Sequence, residues 1–449
     1  MTDTAADLAN LPDARPFHMR GNYAPVPDEL DAYDLTVEGA IPAELDGWYL
    51  RNGSNPRTPT PHWFVGDGMI HGVRIEGGSA RWYRNRWVRT ESFDNDFPVY
   101  GADGTRNLHS SVANTHVVNH AGRTLALVES SLPYEITNDL ETVGCYDFDG
   151  KLNDSMTAHP KICPTTGEMH FFGYGNLFQP HVSYHRADAN GELTVNRPID
   201  VKALTMMHDF AMTSEHVIFM DLPIVFNLEV AISGGGMPFR WDDDYGARFG
   251  VLRRDDPFGE VRWFEIEPCY VFHVANAYVQ KAGGGDSIVI QAVRYPELWR
   301  NDGGFGDSGV LWEWTIDTRR GTVTERQLDD RAVEFPRIDD RRAGMPARYA
   351  VSVGKSTLVR YDLQTGAAAV REFGTPDAPG GPGEVVFVPS PSGGADEDNG
   401  WYMGYVYDPA RDSSELVILP AGDLTAEPTA RILLPRRVPY GFHGNWITG

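Results

Sequence analysis

An all-β propeller is the fold the sequence predicts, and three observations carry that reading. Runs of alternating β-branched and aromatic residues, joined by short Asp, Asn or Gly turns, recur from end to end, which is the local chemistry of β-hairpins. Long 3.6-period apolar stretches with caps are absent, and LANLPDA (8–14) and PDELDAY (27–33) suit at most single helical turns. Seven four-stranded blades with insertions would take about 64 residues each of the 449, a length that a β-sandwich would not need. Residues 1–449 are therefore read as a single propeller domain.

The hairpins follow in order. VRIEGGSARWYRNRWV (73–88) turns at Gly77-Gly78, and THVVNHAGRTLALVES (115–130) turns at Ala121-Gly122. CYDFDGKL (145–152), HVSYHRADANGELTV (181–195), FGVLRRDDPFGEVRWFEI (249–266), LWEWTIDTRRGTVTERQL (311–328) and TLVRYDLQTGAAAVREF (357–373) repeat the scheme. No dipeptide signature marks the blades, so the reading rests on count and length. PSPSGGADEDNG, around 390–400, reads as a solvated insertion within a blade.

Composition removes several function classes. Lys and Arg total 39 against 63 Asp and Glu, a formal charge of −24, which opposes nonspecific binding to nucleic acid or to an anionic membrane. Three cysteines, Cys145, Cys163 and Cys269, form neither a disulfide framework nor a CxxC site, and fit a reducing compartment. The N-terminal stretch lacks a basic and an apolar segment, and no apolar run approaches the roughly 18 residues of a membrane span, so a cytoplasmic location is expected.

Several catalytic strings fail on inspection. GKST (354–357) lacks the glycine a phosphate loop requires, because Tyr349 stands there. Gly304 to Gly309 matches GxGxxG, but the strand-like VLWEWTI follows where a helix should open. GxSxG and HExxH are absent, and none of the 14 histidines begins an HxD or HxE pair.

Four histidines share similar settings: His159 in TAHPKICP, His208 in MMHDFAMT, His273 in VFHVANAY and His443 in YGFHGNWI. The first two separations, 208 − 159 = 49 and 273 − 208 = 65, are near one blade length, and the third, 443 − 273 = 170, is between two and three. Equivalent inner-strand positions converge on a propeller's axis. Four imidazoles there would suit a divalent metal, with iron, zinc and copper all acceptable. The competing reading is four separately satisfied core histidines, as His109, His116, His120, His181, His185 and His216 are taken to be. A ligating imidazole usually donates its other N–H to a carboxylate. Glu129, Glu334 and Glu384, embedded in apolar strands, are candidates, with exposure on an edge strand as the alternative for each.

At these residues the chain resembles the carotenoid cleavage oxygenase family, which includes apocarotenoid oxygenases, lignostilbene dioxygenases and the retinal pigment epithelium isomerase. LDGWYLRNGSNP (45–56), HWFVGDGMIHGVRI (62–75), TAHPKICPTTGEMHFFGY, MMHDFAMTSEHVIFMDLP, FHVANAYV, EFPRID, GEVVFVPSP and GFHGNWI look like family blocks in the family's order. The resemblance covers nearly the whole chain. It implies a seven-bladed propeller under a small helical and loop cap, with Fe(II) on the axis held by His159, His208, His273 and His443. It implies that Glu129, Glu334 and Glu384 fix His208, His273 and His443 in turn, and that Thr115 stands beside an open iron position.

The implied activity is cleavage of a conjugated C=C bond to two carbonyl products, with O2 as co-substrate and without NAD, flavin or heme. Stilbenoid-cleaving members usually carry a lysine before the first of these glutamates. Here that residue is Val128, which favours an apolar polyene over a phenol. Trp63, Phe64 and Tyr100 are candidate cavity residues. The expected partner is a small apolar conjugated molecule, with no nucleic acid and at most weak peripheral membrane contact. A stilbenoid or phenylpropenoid oxygenase is the alternative within the family. A noncatalytic propeller is the alternative outside it, although such a platform would not need four histidines and three glutamates.

Overall fold

The structure is a computed structural model that describes residues 15–95, 97–233, 236–281, 286–300 and 309–449. Seven antiparallel sheets follow one another along the chain as the blades of a propeller. The ring closes twice. The C-terminal strand Gly444–Thr448 pairs with Gly47–Ser54, and Val37–Gly39 pairs with Ala430–Leu433 on the preceding blade. Both latches join the two ends of the chain, so the seam costs no open sheet edge.

Hairpins form where the turn residues allow a left-handed backbone. Gly77-Gly78 (φ 55° and 73°) and Ala121-Gly122 (φ 52° and 78°) give the tight twist that links Gly68–Glu76 to Ser79–Trp87 and His116–His120 to Arg123–Leu127. Gly354 opens the turn between Tyr349–Val353 and Thr357–Asp362, which disposes of the phosphate-loop reading. The insertion after Val386–Pro389 lies within the seventh blade, before Gly400–Asp408. Large aromatics such as Phe172, Phe210, Phe249 and Trp314 are fully buried in one core cluster that runs across several blades. Each is worth roughly 1.5–3 kcal/mol of burial.

Two sequence expectations need correction. CYDFDGKL is not a hairpin: Cys145 ends the outer strand Thr142–Cys145, and Phe148, Asp149 and Gly150 (φ 56°, 58° and 77°) turn the chain out of extended conformation. PDELDAY contains a strand, because Leu30–Ala32 is recruited to the free edge of Ser79–Trp87. Tertiary pairing overrides local preference there. The cap over the axial site is built largely of loops; among the described residues the one α-helix is the short Leu228–Ser233. LANLPDA and Gly304 to Ser308 of the GxGxxG string lie outside the described residues.

The arrangement that matters for function is at the axis. At or within three residues of the start of each blade's innermost strand, the chain presents one imidazole or carboxylate: His116, His159, His208, His273, Glu334, Glu384 and His443. At two of them the ladder is irregular. Register shifts bracket Val271 to Asn276 and Glu334 to Arg337, the kind of bulge that re-aims a side chain.

Candidate metal centre

His159, His208, His273 and His443 are each at most 9% exposed, and one nitrogen from each lies within 4.8 Å of the others. The His159 and His208 Nε2 atoms are 3.0 Å apart, and His208 and His273 Nε2 are 3.2 Å apart. Such close nitrogens cannot all carry protons; their lone pairs call for a shared cation. Three imidazoles turn their other nitrogen to a carboxylate. Glu129 Oε1 is 2.5 Å from His208 Nδ1, Glu334 Oε2 is 2.5 Å from His273 Nδ1, and Glu384 Oε1 is 3.1 Å from His443 Nδ1. A carboxylate there holds the proton on Nδ1 and leaves Nε2 facing inward. His159 has no such carboxylate among the described residues; its backbone N–H donates to Thr157 Oγ1 at 3.1 Å.

For His159 and His443, electrostatics agrees with neutral ligands. Burial, reinforced by the neighbouring imidazoles, holds His159 and His443 well below the usual histidine range. Burial acts in the same sense on His273, but the charge and hydrogen bond of Glu334 outweigh it and raise that group. Four imidazoles of this kind are a good donor set for a divalent transition metal and a poor one for calcium or magnesium, which prefer oxygen.

An apolar cavity of about 730 Å³ opens on one side of the cluster, reaching His208, His273 and His443. Trp63, Phe64, Tyr100, Thr115 and Val128 all line it. Thr115 is fixed by its neighbours: its hydroxyl donates to Asn114 Oδ1 at 2.9 Å, and its carbonyl accepts His443 N–H at 3.1 Å. Tyr100 contributes its ring, since its hydroxyl is spent on Gly175 O at 2.8 Å. A second cavity of 420 Å³ meets the cluster from the other side, reaching His159, His273 and His443.

Several functional neighbours escaped the sequence reading. Tyr174 and Tyr295 donate to Glu129 and Glu334 at 2.5 and 2.9 Å, and Arg337 reaches Glu384 at 3.3 Å. Phe272, Phe335 and Phe442 line the apolar cavity, each adjacent in sequence to an axial residue. That adjacency was the available signal. His116 is individually satisfied, its Nδ1 2.8 Å from Ala158 O, yet it stands beside His159 and His443 with ring centroids 6.0 and 5.2 Å away.

Comparison with known proteins adds independent findings. The family model described as "Retinal pigment epithelial membrane protein" matches residues 23–448. A carotenoid cleavage oxygenase of Mycobacterium tuberculosis is 40% identical, with 96% of this chain and 97% of the relative covered. Among solved structures, the lignostilbene dioxygenase of Pseudomonas brassicacearum superposes with a TM-score of 0.86 at 27% identity, over 98% of this chain and 100% of that one. A cobalt-substituted apocarotenoid oxygenase of Synechocystis superposes with a TM-score of 0.82 at 28% identity, over 95% and 97% of the two chains.

Proposed function

The chain belongs to the carotenoid cleavage oxygenase family and is an alkene-cleaving dioxygenase, and from that premise we propose that it cleaves an apocarotenoid or a similar linear polyene to two carbonyl products. The observation that carries the proposal is the convergence of four buried imidazoles at the floor of an apolar cavity. A noncatalytic propeller has no use for that convergence.

We propose Fe(II) as the resident metal, held by His159, His208, His273 and His443, a donor set that fits it. When bound, it supplies activation of O2, with no need for NAD, flavin or heme. The remaining work falls to the chain. Glu129, Glu334 and Glu384 keep Nδ1 protonated and the rings aimed inward. Phe64, Phe272, Phe335 and Phe442 exclude water and hold an extended apolar substrate by shape, gaining roughly 25 cal/mol per Å² buried. Thr115, bonded to the His443 backbone, forms part of the cavity wall.

Val128 supports the polyene over a phenol, because it supplies no cation to engage a phenolate. The likeness to a lignostilbene dioxygenase favours the second reading, a stilbenoid or phenylpropenoid substrate. Weak membrane contact and a cytoplasmic location belong to the same proposal. Phe17, Val65 and Val99 line the cavity and are 40–44% exposed, and all three cysteines are free thiols. The deciding experiment assays iron-loaded enzyme on apocarotenals beside hydroxystilbenes and 4-vinylphenols while following O2 uptake. Turnover of apocarotenals is expected; turnover of the phenolic substrates alone would overturn the polyene reading and leave the metal centre standing.

A further inference from the structure

LDGWYLRNGSNP carries a residue that the reaction does not use. Arg51 lies in the strand Gly47–Ser54 and is only 6% exposed. Among the described residues no carboxylate reaches its guanidinium and none of its N–H groups meets an acceptor. Gly53, two residues on, leaves room for it: a Cβ there would sit 2.8 Å from Arg51 Nη1. A buried charge without a partner is among the costliest features a fold can carry.

The surroundings do not neutralise it. Tyr49, Tyr83, Tyr405 and Tyr440 stand around the guanidinium, and burial raises all four phenols, so they keep their protons. Burial also lowers Arg51 itself to about 10, which still leaves it charged at neutral pH. Burial, with the charges of Arg51, Arg436 and Arg437, depresses the neighbouring His71; Arg436 and Arg437 are paired with Asp28 and Asp412, so of the three only Arg51 lacks a carboxylate.

Arg51 opens into a small space of 20 Å³ that meets the cavities at the metal centre only through the shared walls Glu384, Tyr440 and Phe442. Tyr405, 5% exposed, lines the same space, and its hydroxyl has no partner. Ser414 lines it too; its oxygen accepts Val438 N–H at 2.9 Å, which leaves its own O–H to give. Asn22 Oδ1 is the one unpartnered acceptor there, and an amide flip would turn it into a donor. The space is large enough for one or two waters or a single halide. Glu384 also lines the space, but its carboxylate is spent on His443, Arg337 and the Gly444 N–H, so the groups left to serve the uncompensated cation's partner are donors, which selects an anion.

We propose that this space is a binding site for one small monovalent anion of halide size, held by the Arg51 guanidinium and the Tyr405 hydroxyl. Chloride supplies the missing charge and accepts from several donors at once. The site rests on burial and charge alone and is independent of the substrate proposed above.

The test uses the iron-loaded protein. Its thermal midpoint is expected to rise with sodium chloride or bromide relative to sodium gluconate at equal ionic strength, because a ligand of the native state stabilises it. Arg51→Met should abolish that increment, and Tyr405→Phe, which only removes a hydroxyl, should shrink it even if Arg51→Met fails to fold. Crystals grown in bromide should show an anomalous peak within hydrogen-bond distance of Arg51. A halide-independent midpoint, or density at Arg51 without anomalous signal, would identify water there and overturn the proposal.

Discussion

The two cavities that meet at the histidines differ in how they treat charge. On the 730 Å³ side, Glu129 and Glu334 are held by uncharged donors, the hydroxyls of Tyr174 and Tyr295. On the 420 Å³ side, Glu384 is held by the Arg337 guanidinium, and Lys161 pairs with the buried Asp209 at 2.7 Å. His208 opens only to the first cavity, His159 only to the second, and His273 and His443 to both. The ring of imidazoles is thus a partition between a mainly apolar chamber, where Arg106 is spent on the Ser130 and Gly175 carbonyls, and a more polar one. The contrast shows how a fold keeps carboxylates beside a greasy chamber: burial and the adjacent carboxylates push both phenols well up, so each remains a proton donor and adds no net charge.

Breaking the partition should have the largest effect. His208→Ala, on the dry side, and His443→Ala, which faces both, should each lose bound iron and activity together, read by metal content and turnover. Stoichiometric metal in protein lacking both histidines would remove them from the ligand set.

The carboxylates come next and sharpen the contrast. Glu129→Gln, Glu334→Gln and Glu384→Gln should fold and lose about 10–100-fold in iron affinity or turnover. Their stabilities should differ. A phenol can donate to a glutamine oxygen as well as to a carboxylate, so Glu129→Gln keeps the Tyr174 contact. Glu384→Gln leaves Arg337 with less negative charge near it, at a cost of about 1–3 kcal/mol. A larger fall in thermal midpoint for Glu384→Gln than for Glu129→Gln is expected, and equal falls would mean the two sides do not differ in this way.

The fold and the ligands were legible because both leave a periodic trace. Hairpin turns such as Gly77-Gly78 announce strands locally, and histidines that head inner strands recur at blade spacing; the family resemblance then singled out four of them. What was not legible comes from contacts that no local pattern encodes. Tyr174 and Glu129 are 45 residues apart, Tyr295 and Glu334 are 39, and Arg337 and Glu384 are 47. Each pair joins only because two blades stand side by side. The misreadings were local in the same sense: CYDFDGKL has turn residues with no second strand to return to, and PDELDAY becomes a strand because a distant edge needs a partner.

The smallest effects should separate the chambers most cleanly, by placing the same residue in each. Val128 is 8% exposed and lines the dry cavity beside Glu129. In Val128→Lys, the carboxylates on that side, Glu129 and Glu334, already serve an imidazole and a phenol each, so the ammonium enters without a free partner and must shed water. A penalty of about 1.4 kcal/mol against an apolar substrate already costs tenfold, so kcat/KM on an apocarotenal should fall by at least about that factor. A phenolic substrate, which brings its own acceptor, should lose less or gain. Ala343 lines the polar cavity, where Asp340 is also present. Ala343→Lys keeps its ammonium solvated and paired, so kcat/KM should change by less than about twofold, in line with an ordinary exposed ion pair. Equal losses from the two lysines would mean that both chambers are wet, and that substrate selection does not rest on the dryness of the Val128 side.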